Sequence, residues 1–298
     1  MPGNPRPGAI AGGPLRLRAA LDRTLAALDH KVDQALAHPT LTPEDIHDLH
    51  REMRRLVSGL SVWSGLVAAG RRESVREVTG RLRRLARLVG RVRDRDVTEA
   101  LLAPERNARP GGPELGPWEQ FLGRLREDTH TGRELLRAFL RTERQGGLFD
   151  RARGLVDLLP RADARRGLQR ILAEERRHRQ GRVRKAHRKA RRDPTSERLH
   201  RLRIRIRQWR HFAALEMAAR VTATRPPPSW QRLQGRLGRL HDLDVALATV
   251  PEDLLDATPA ARLKERRRKL RRSVRETLER LAAGPERATA RARTRSAG

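Results

Sequence analysis

The sequence predicts an all-α protein, built as two pseudo-twofold-related helical bundles around a basic central groove. Apolar residues recur at helical spacing along nearly the whole chain, and strand signals are almost absent. The segment LVGRVRDRDV (88–97) is repeated as RLGRLHDLDV (236–245), and a helix with a row of cations precedes each copy. We therefore expect one domain over 13–283 made from a duplicated four-helix unit. Its repeats would cover about 15–145 and about 160–283, with flexible tails at 1–12 and 284–298.

The first elements follow from periodicity and from helix-start signals. Leucines at helical spacing predict a helix of about 20 residues over 17–36. The next helix is predicted to begin at TPEDIHDLH, with Thr42 as the N-cap and Pro43 at the first helical position. A third is predicted over 77–90, ending at its glycine, and a short further helix begins near residue 93.

A Pro/Gly-rich loop over 104–117 separates these elements from the rest of the chain. A break at Asp193-Pro194 and an N-cap at Thr195 mark the start of the cation-bearing helix of the second repeat. The later helices are predicted over about 118–141, 163–191, 196–216, 230–240 and 258–282.

Composition limits the class of partner. The chain has 298 residues, with 67 Lys and Arg against 36 Asp and Glu, which gives a net charge of +31. This excess predicts a polyanionic partner: a nucleic acid, an anionic membrane surface or a phosphate polymer. The absence of cysteine excludes disulfides and Cys-based zinc sites. No apolar stretch approaches membrane-spanning length, so we expect a cytoplasmic protein that does not enter a membrane.

The helix after Thr195 carries a row of cations one position beyond its apolar stripe. Positions i, i+3, i+7 and i+10 lie within roughly 80° of each other on a helix. The cations at these positions are His200, Arg203, Arg207 and Arg210. The apolar stripe consists of Leu199, Leu202, Ile206 and Trp209. Like charges on one helix face repel one another, so this row predicts an anionic ligand.

The helix after Thr42 has the same design. Its apolar stripe consists of Ile46, Leu49, Met53, Leu56 and Leu60. Its cations are His47, His50 and Arg54, with Arg55 at the margin. A third row just before the second-repeat helix consists of His178, Arg182, Lys185, Lys189 and Arg192. A short connection makes these last two helices antiparallel neighbours whose basic faces could converge.

An ordinary alternative is that such arginines only cover core edges with their aliphatic stems. A solvated helix face, however, normally mixes glutamate with arginine, and no acid interrupts either the first or the second row. Both rows also begin with histidine at matching places. A binding function is therefore favoured.

The repeated turns each contain a pair of aspartates. Paired carboxylates can act as general acid and base, or they can ligate Mg²⁺. In so cationic a setting we interpret Asp94 and Asp242 as groups that orient an arginine or an imidazole. The sequence contains no HExxH, GxSxG or phosphate-loop motif. We therefore expect neither catalysis nor a cofactor.

These motifs resemble the CHAD domain family (conserved histidine α-helical domain). HDLHREMRRL with LVGRVRDRDV is similar to the first of the family's two motif copies, and HRLRIRIRQWRH with RLGRLHDLDV is similar to the second. The resemblance covers roughly 15–283. It implies a pseudo-symmetric pair of four-helix bundles that binds inorganic polyphosphate without catalysis. It also implies association with polyphosphate or polyhydroxyalkanoate granules.

The resemblance also implies which residues bind polyphosphate. By position these are His47, Arg54, Arg55, Arg83, His200, Arg203, Arg207 and Arg210. The basic rows add His50, Arg182, Lys185 and Lys189. His50 and Val57 stand where the family usually has arginine, which implies weaker phosphate contact and greater pH sensitivity in the first repeat.

Two alternatives remain open at this stage. A helical nucleic-acid-binding protein would fit the net charge equally well, although aromatic residues are only 3% of the chain and no helix-turn-helix signature is present. A phosphohydrolase could use His47 or His200 with Asp94 or Asp242, provided that these groups lie close together.

Overall fold

The computed structural model describes residues 13–63, 72–108, 115–157, 165–218 and 226–295, and the long elements of these ranges are all α-helices. They are α1 (Gly13–Ala37), α2 (Pro43–Trp63), α3 (Arg72–Leu102), α4 (Leu115–Gln145), α5 (Leu148–Asp157), α6 (Arg165–Arg192), α7 (Ser196–Ala218), α8 (Pro228–Thr249) and α9 (Thr258–Arg295). The predicted all-α class is confirmed. Among the residues described, no helix is apolar over enough length to cross a bilayer. The tail predicted over 1–12 lies outside the described residues.

Both predicted N-caps are present. The Asp45 N–H donates to Thr42 Oγ1 at 3.1 Å, and the Thr42 N–H donates back to Asp45 Oδ2 at 2.9 Å, which forms a reciprocal capping box. Burial alone would raise the pKa of Asp45, but the hydrogen bonds from Thr42 lower it below its usual value. At the second site the Arg198 N–H donates to Thr195 Oγ1 at 3.3 Å. These caps fix where α2 and α7 begin, and with them the register of both cation rows.

The helix ends predicted at Gly90 and near residue 240 were wrong. Gly90 lies inside α3, which runs without interruption from Arg72 to Leu102, and α8 continues to Thr249. Glycine is common both at helix ends and where two helices approach closely, so the residue type alone did not separate the two cases. Helix α5 was not predicted, and α9 continues to Arg295, beyond the end predicted near residue 282.

The structure divides into two compact units. Unit 1 contains the described residues of 1–96, 124–178 and 210–225, and unit 2 contains those of 97–123, 179–209 and 226–298. Each unit therefore draws on both halves of the sequence. The repeat boundaries at about 15–145 and 160–283 concern duplication of the sequence and stay a prediction.

In unit 1, the apolar stripe of α2 is fully buried and packs against leucines of α1. Ion pairs join the helices around this core. Asp29 of α1 accepts hydrogen bonds from Arg144 of α4 at 2.7 Å and from Arg153 of α5. Arg81 of α3 donates to Glu143 of α4 at 2.6 Å. Truncating a buried leucine in such a core typically costs about 2–5 kcal/mol, so α2 is firmly held.

In unit 2, residues of α6, α7, α8 and α9 form one apolar cluster that includes the predicted stripe of α7. His187 of α6 is buried, hydrogen-bonds through Nε2 to the Leu278 carbonyl of α9 at 3.0 Å, and packs edge-on against Trp230 of α8. The turn between α6 and α7 is held from α9, because Arg271 Nη2 donates to the Pro194 carbonyl at 2.8 Å. Helices α6 and α7 are thereby fixed next to one another.

Candidate functional site

Helix α2 separates its charges onto two sides. Two of its acids bind cations outside the row of His47, His50 and Arg54. Asp48 pairs with Lys31 of α1 at 3.1 Å, and Glu52 accepts a hydrogen bond from Arg55, at the margin of the row, at 2.9 Å. The row formed by His47, His50 and Arg54 lies on another face of the helix. Asp48 and Glu52 are therefore bonded to cations that do not belong to this row.

His50 and Arg54 are bonded to each other. Arg54 Nε donates to His50 Nε2 at 2.5 Å, and both side chains are half-buried. Arginine is always a donor, so His50 Nε2 is the acceptor and carries no proton.

Gly90 of α3 lies beside this pair. A Cβ placed on Gly90 would lie 3.6 Å from His50 Nε2 and 4.0 Å from Arg54 Nη2. These are ordinary van der Waals separations, so the position accommodates a methyl group but leaves no room for a larger branched side chain. The glycine that was predicted to end a helix instead lets α3 approach the predicted binding residues.

The other first-repeat residues are placed apart from this pair. Arg55 is bonded to Glu52 and, with residues of α1 and of the C-terminal part of α7, lines a different cavity of about 340 Å³. His47 and Arg83 are exposed, and their side chains make no hydrogen bond or ion pair to any described residue. Asp94 accepts a hydrogen bond from its neighbour Arg93 at 3.1 Å.

The second aspartate of each repeated turn is fixed by an arginine of another helix. Asp96 accepts a hydrogen bond from Arg133 of α4 at 2.6 Å, and Asp244 accepts one from Arg267 of α9 at 2.5 Å. Asp242 is half-buried. The sequence did not reveal these two bonds, because each joins residues that belong to different helices.

In unit 2, His200 meets a histidine that the sequence interpretation did not include. His200 Nδ1 of α7 lies 3.3 Å from His241 Nδ1 of α8, and the ring centroids are 4.7 Å apart. A hydrogen bond between the two Nδ1 atoms requires that one of them lacks a proton. His241 aligns with Arg93 of the first repeat. A basic residue at the same place in both repeated segments was the feature of the sequence that could have identified it.

Arg203 and Arg207 are half-buried and follow His200 along α7. Arg210 is exposed and belongs to unit 1. A cavity of about 260 Å³ lies next to the histidine pair and is lined by residues of α7 and α8. Its polar lining residues are Ser196, Glu197, His200, His241 and Asp244. Among the residues described, no three His, Asp or Glu side chains form a group that could hold a metal ion.

One residue of the row on α6, Arg182, lies near a different side of α7. Arg182 lies close enough to Arg205 to affect its ionisation, and Arg205 is 100° or more around α7 from His200, Arg203 and Arg207. The two antiparallel helices thus bring basic faces together, but through Arg182 and Arg205. Lys185 and Lys189 are exposed, and their side chains make no hydrogen bond or ion pair within the described ranges.

Comparisons with known proteins agree with this architecture. Residues 19–251 match the family model described as the CHAD domain. The structure is also similar to the crystal structure of the CHAD domain from the plant Ricinus communis, with a TM-score of 0.63. The two chains are 18% identical over 91% of this chain and 93% of that chain, so this likeness concerns the fold. No curated protein matches the chain.

Proposed function

Because the chain belongs to the CHAD domain family, we propose that it binds inorganic polyphosphate and does not hydrolyse it. One observation carries this proposal: in α2 and in α7, a buried apolar stripe fixes a row of cations while acids of the same helix are bonded elsewhere. The rows are formed by His47, His50 and Arg54, and by His200, Arg203 and Arg207.

A protein needs little more than such rows of cations to bind polyphosphate. It has no bases to be read, and each of its units carries a negative charge that guanidinium groups can bind through paired hydrogen bonds. From residue 200 to residue 207 the rise along α7 is about 10 Å, so the row can contact several consecutive phosphates. Binding releases condensed counterions, and we expect the affinity to fall steeply with salt.

The histidines link binding to pH. His50 accepts a hydrogen bond from Arg54, and the His200–His241 contact requires one unprotonated Nδ1. A bound polyanion favours the charged form of a nearby imidazole, so binding should be accompanied by proton uptake. Affinity should therefore rise as the pH falls from about 8 to about 6, and a flat profile would exclude the histidines from the binding step.

The same chemistry extends to localisation. We propose that the protein is cytoplasmic and associates with polyphosphate or polyhydroxyalkanoate granules. Co-sedimentation of the wild type with isolated granules, and its release by added free polyphosphate, would test this.

The decisive experiment is competition between long-chain polyphosphate and DNA, single- and double-stranded, at matched charge and physiological salt. The variant Arg203→Ala/Arg207→Ala should lose polyphosphate affinity by about 10- to 100-fold, because two charge-assisted hydrogen-bonding groups are removed. The control Arg76→Ala/Arg170→Ala removes the same charge from two exposed arginines that pair with acids of their own helices.

Three outcomes would contradict the proposal. DNA could bind as tightly as polyphosphate, which would favour the nucleic-acid alternative. The Arg203/Arg207 variant could bind no more weakly than the control. Phosphate could be released when Mg²⁺ is added to the same samples, which would favour the phosphohydrolase alternative.

A further inference from the structure

A second group of cations lies between α6 and α7, on the side of α7 away from His200. It is organised around Gln208. Arg179 Nη1 of α6 donates to the Gln208 carbonyl at 3.1 Å, and Arg205 Nη1 donates to the Gln208 side-chain oxygen at 3.0 Å. Two guanidinium groups from neighbouring helices are thus held within reach of one residue.

Two more arginines complete the group. Burial lowers the pKa of Arg205, and repulsion from Arg182, Arg179 and Arg201 lowers it further. Arg201 is bonded to Glu197 at 2.5 Å, whereas the exposed side chain of Arg182 makes no hydrogen bond or ion pair with any residue that the structure describes. This group, hereafter the α6–α7 cluster, consists of Arg179, Arg182, Arg201 and Arg205.

The antiparallel pairing of α6 and α7 extends this series of cations beyond the α6–α7 cluster, toward the turn between the two helices. Arg179 lies opposite Gln208, and Arg182 is near Arg205. Two helical turns further on, the same register brings Lys189 of α6 to the level of Arg198 of α7. Arg198 is bonded to Asp193 at 2.6 Å. Cations therefore follow one another along this side of the helix pair for most of the length of α7 in unit 2.

The packing does not allow these charges to separate. Val183 and Ala190 of α6 are buried in the same apolar cluster as Leu202 and Ile206 of α7, so the two helices are fixed against each other. Residues 176–192 of α6 contain no acid at all. A face kept soluble by charge alone would mix acids with bases. The α6–α7 cluster instead retains a repulsion that a bound anion would remove.

We propose that the α6–α7 cluster is a second binding site for a run of phosphate groups, separate from the row of His200, Arg203 and Arg207. Its ligand is a further segment of inorganic polyphosphate, so the identity of the ligand rests on the proposed function, while the site itself does not depend on the first row. Two sites on one helix imply a preference for chains long enough to occupy both, because linked binding events reinforce each other.

The test uses the full chain and two ligands. Tripolyphosphate is too short to reach both the row on α7 and the α6–α7 cluster, so in a calorimetric titration of the wild type it should bind the two as separate sites, in addition to the row on α2. Arg182→Ala/Arg205→Ala should lower the number of tripolyphosphate sites by one and weaken long-chain polyphosphate binding by about tenfold. The slope of log K against the logarithm of the salt concentration should become less steep by roughly 1 to 2, because two phosphate contacts are lost.

The matched control is Arg184→Ala/Arg188→Ala, which removes the same charge from another exposed face of α6. It should reduce affinity less than about twofold. The proposal would be overturned if Arg182→Ala/Arg205→Ala and this control lost polyphosphate affinity equally. It would also be overturned if Arg182→Ala/Arg205→Ala left the number of tripolyphosphate sites unchanged. An equal loss of affinity for DNA of matched charge would overturn the assignment to polyphosphate.

The two variants distinguish failure of the proposed function from failure of the α6–α7 cluster. If only Arg203→Ala/Arg207→Ala weakens binding, the second site is wrong and the proposed function stands. If only Arg182→Ala/Arg205→Ala weakens binding, the α6–α7 cluster stands and the row on α7 is wrong. The single change Arg182→Glu keeps the test valid should the double variant fold poorly, because the exposed Arg182 side chain makes no hydrogen bond or ion pair with the described residues. It too should weaken polyphosphate binding.

A second readout needs no ligand. At low salt, Arg182→Ala should unfold at a higher temperature than the wild type, because a repulsive neighbour of Arg205 has been removed. The difference should disappear at high salt, where such repulsion is screened. A lower midpoint in the variant would show that Arg182 supports the fold, and would contradict the proposed repulsion.

Discussion

Gly90 and Gly238 stand at equivalent places in the repeated sequence segments but have different surroundings, and substituting both tests the geometry of the site. A Cβ on Gly238 meets no atom within 4 Å, whereas one on Gly90 meets His50 Nε2 at 3.6 Å and Arg54 Nη2 at 4.0 Å. Alanine inside a helix is favoured over glycine by about 0.8–1 kcal/mol. Because neither alanine creates a clash, we expect both Gly→Ala variants to be stabilised by about that amount.

Valine distinguishes the two positions. Its γ-carbons lie about 1.5 Å beyond Cβ, which brings one to within roughly 2 to 3 Å of His50 Nε2, and its χ1 angle is restricted in helices. The imidazole must therefore move and lose its hydrogen bond from Arg54. A hydrogen bond from a charged donor contributes about 1.5–3 kcal/mol, so Gly90→Val should lose about this much stability. At Gly238 the same change should alter stability by only a few tenths of a kcal/mol.

Urea unfolding followed by circular dichroism measures the stability difference, and titration with long-chain polyphosphate measures the consequence for binding. Gly90→Val should be about 2 kcal/mol less stable than Gly238→Val and should bind polyphosphate several-fold more weakly. Equal stability of the two valine variants would refute the close approach of α3 to the His50–Arg54 pair. Unchanged affinity in a destabilised Gly90→Val would remove that pair from the binding site.

Three further predictions concern buried and titrating groups. Burial lowers the pKa of His187 below its usual 6.5, so the stability that it contributes is complete above about pH 6.5. That contribution should be lost as the pH falls below 6.5, and His187→Phe should flatten the pH dependence of urea unfolding between pH 7 and 5. Glu216 is buried and bonded to Arg176 at 2.6 Å, so Glu216→Gln should cost about 3 kcal/mol. The exposed pair of Glu174 is the control: Glu174→Gln should cost less than about 0.5 kcal/mol, and similar costs in the two variants would contradict the role of burial. His241→Asn should shift the pH midpoint of polyphosphate affinity measured between pH 8 and 6, because the partner of His200 Nδ1 is replaced; an unaltered profile would exclude the histidine pair.

The parts of the fold that were predictable are those set by local pattern. The stripes of α2 and α7 are buried as predicted, because apolar residues at helical spacing can be removed from water only on one side of a helix. Thr42 and Thr195 cap their helices because a hydroxyl at that position satisfies a free N–H. The rows of cations follow from the same register, since each lies one residue beyond a stripe.

The features that could not be predicted depend on which helices pack against each other. The spacing of residues along the chain does not show that. Gly90 was read as a helix end because its closeness to His50 arises from the packing of α3 on α2. His241 was overlooked because its partner is on another helix. Arg182 was predicted to belong to a row on α6 whose basic face could converge with that of α7. Spacing along the chain did not show that it lies near Arg205, on a different side of α7 from His200.

If polyphosphate binds along α6 and α7, the bond from Arg271 to the Pro194 carbonyl bears on which partner changes shape. This bond and the shared core make α6 and α7 a rigid template whose backbone has little freedom left to lose. A polyphosphate chain in solution is flexible, and ordering a flexible partner costs free energy at the moment of association. The conformational entropy lost on binding would then come almost entirely from the ligand: the chain would adopt a path already present on the protein, as a disordered peptide does when it folds on a structured receptor.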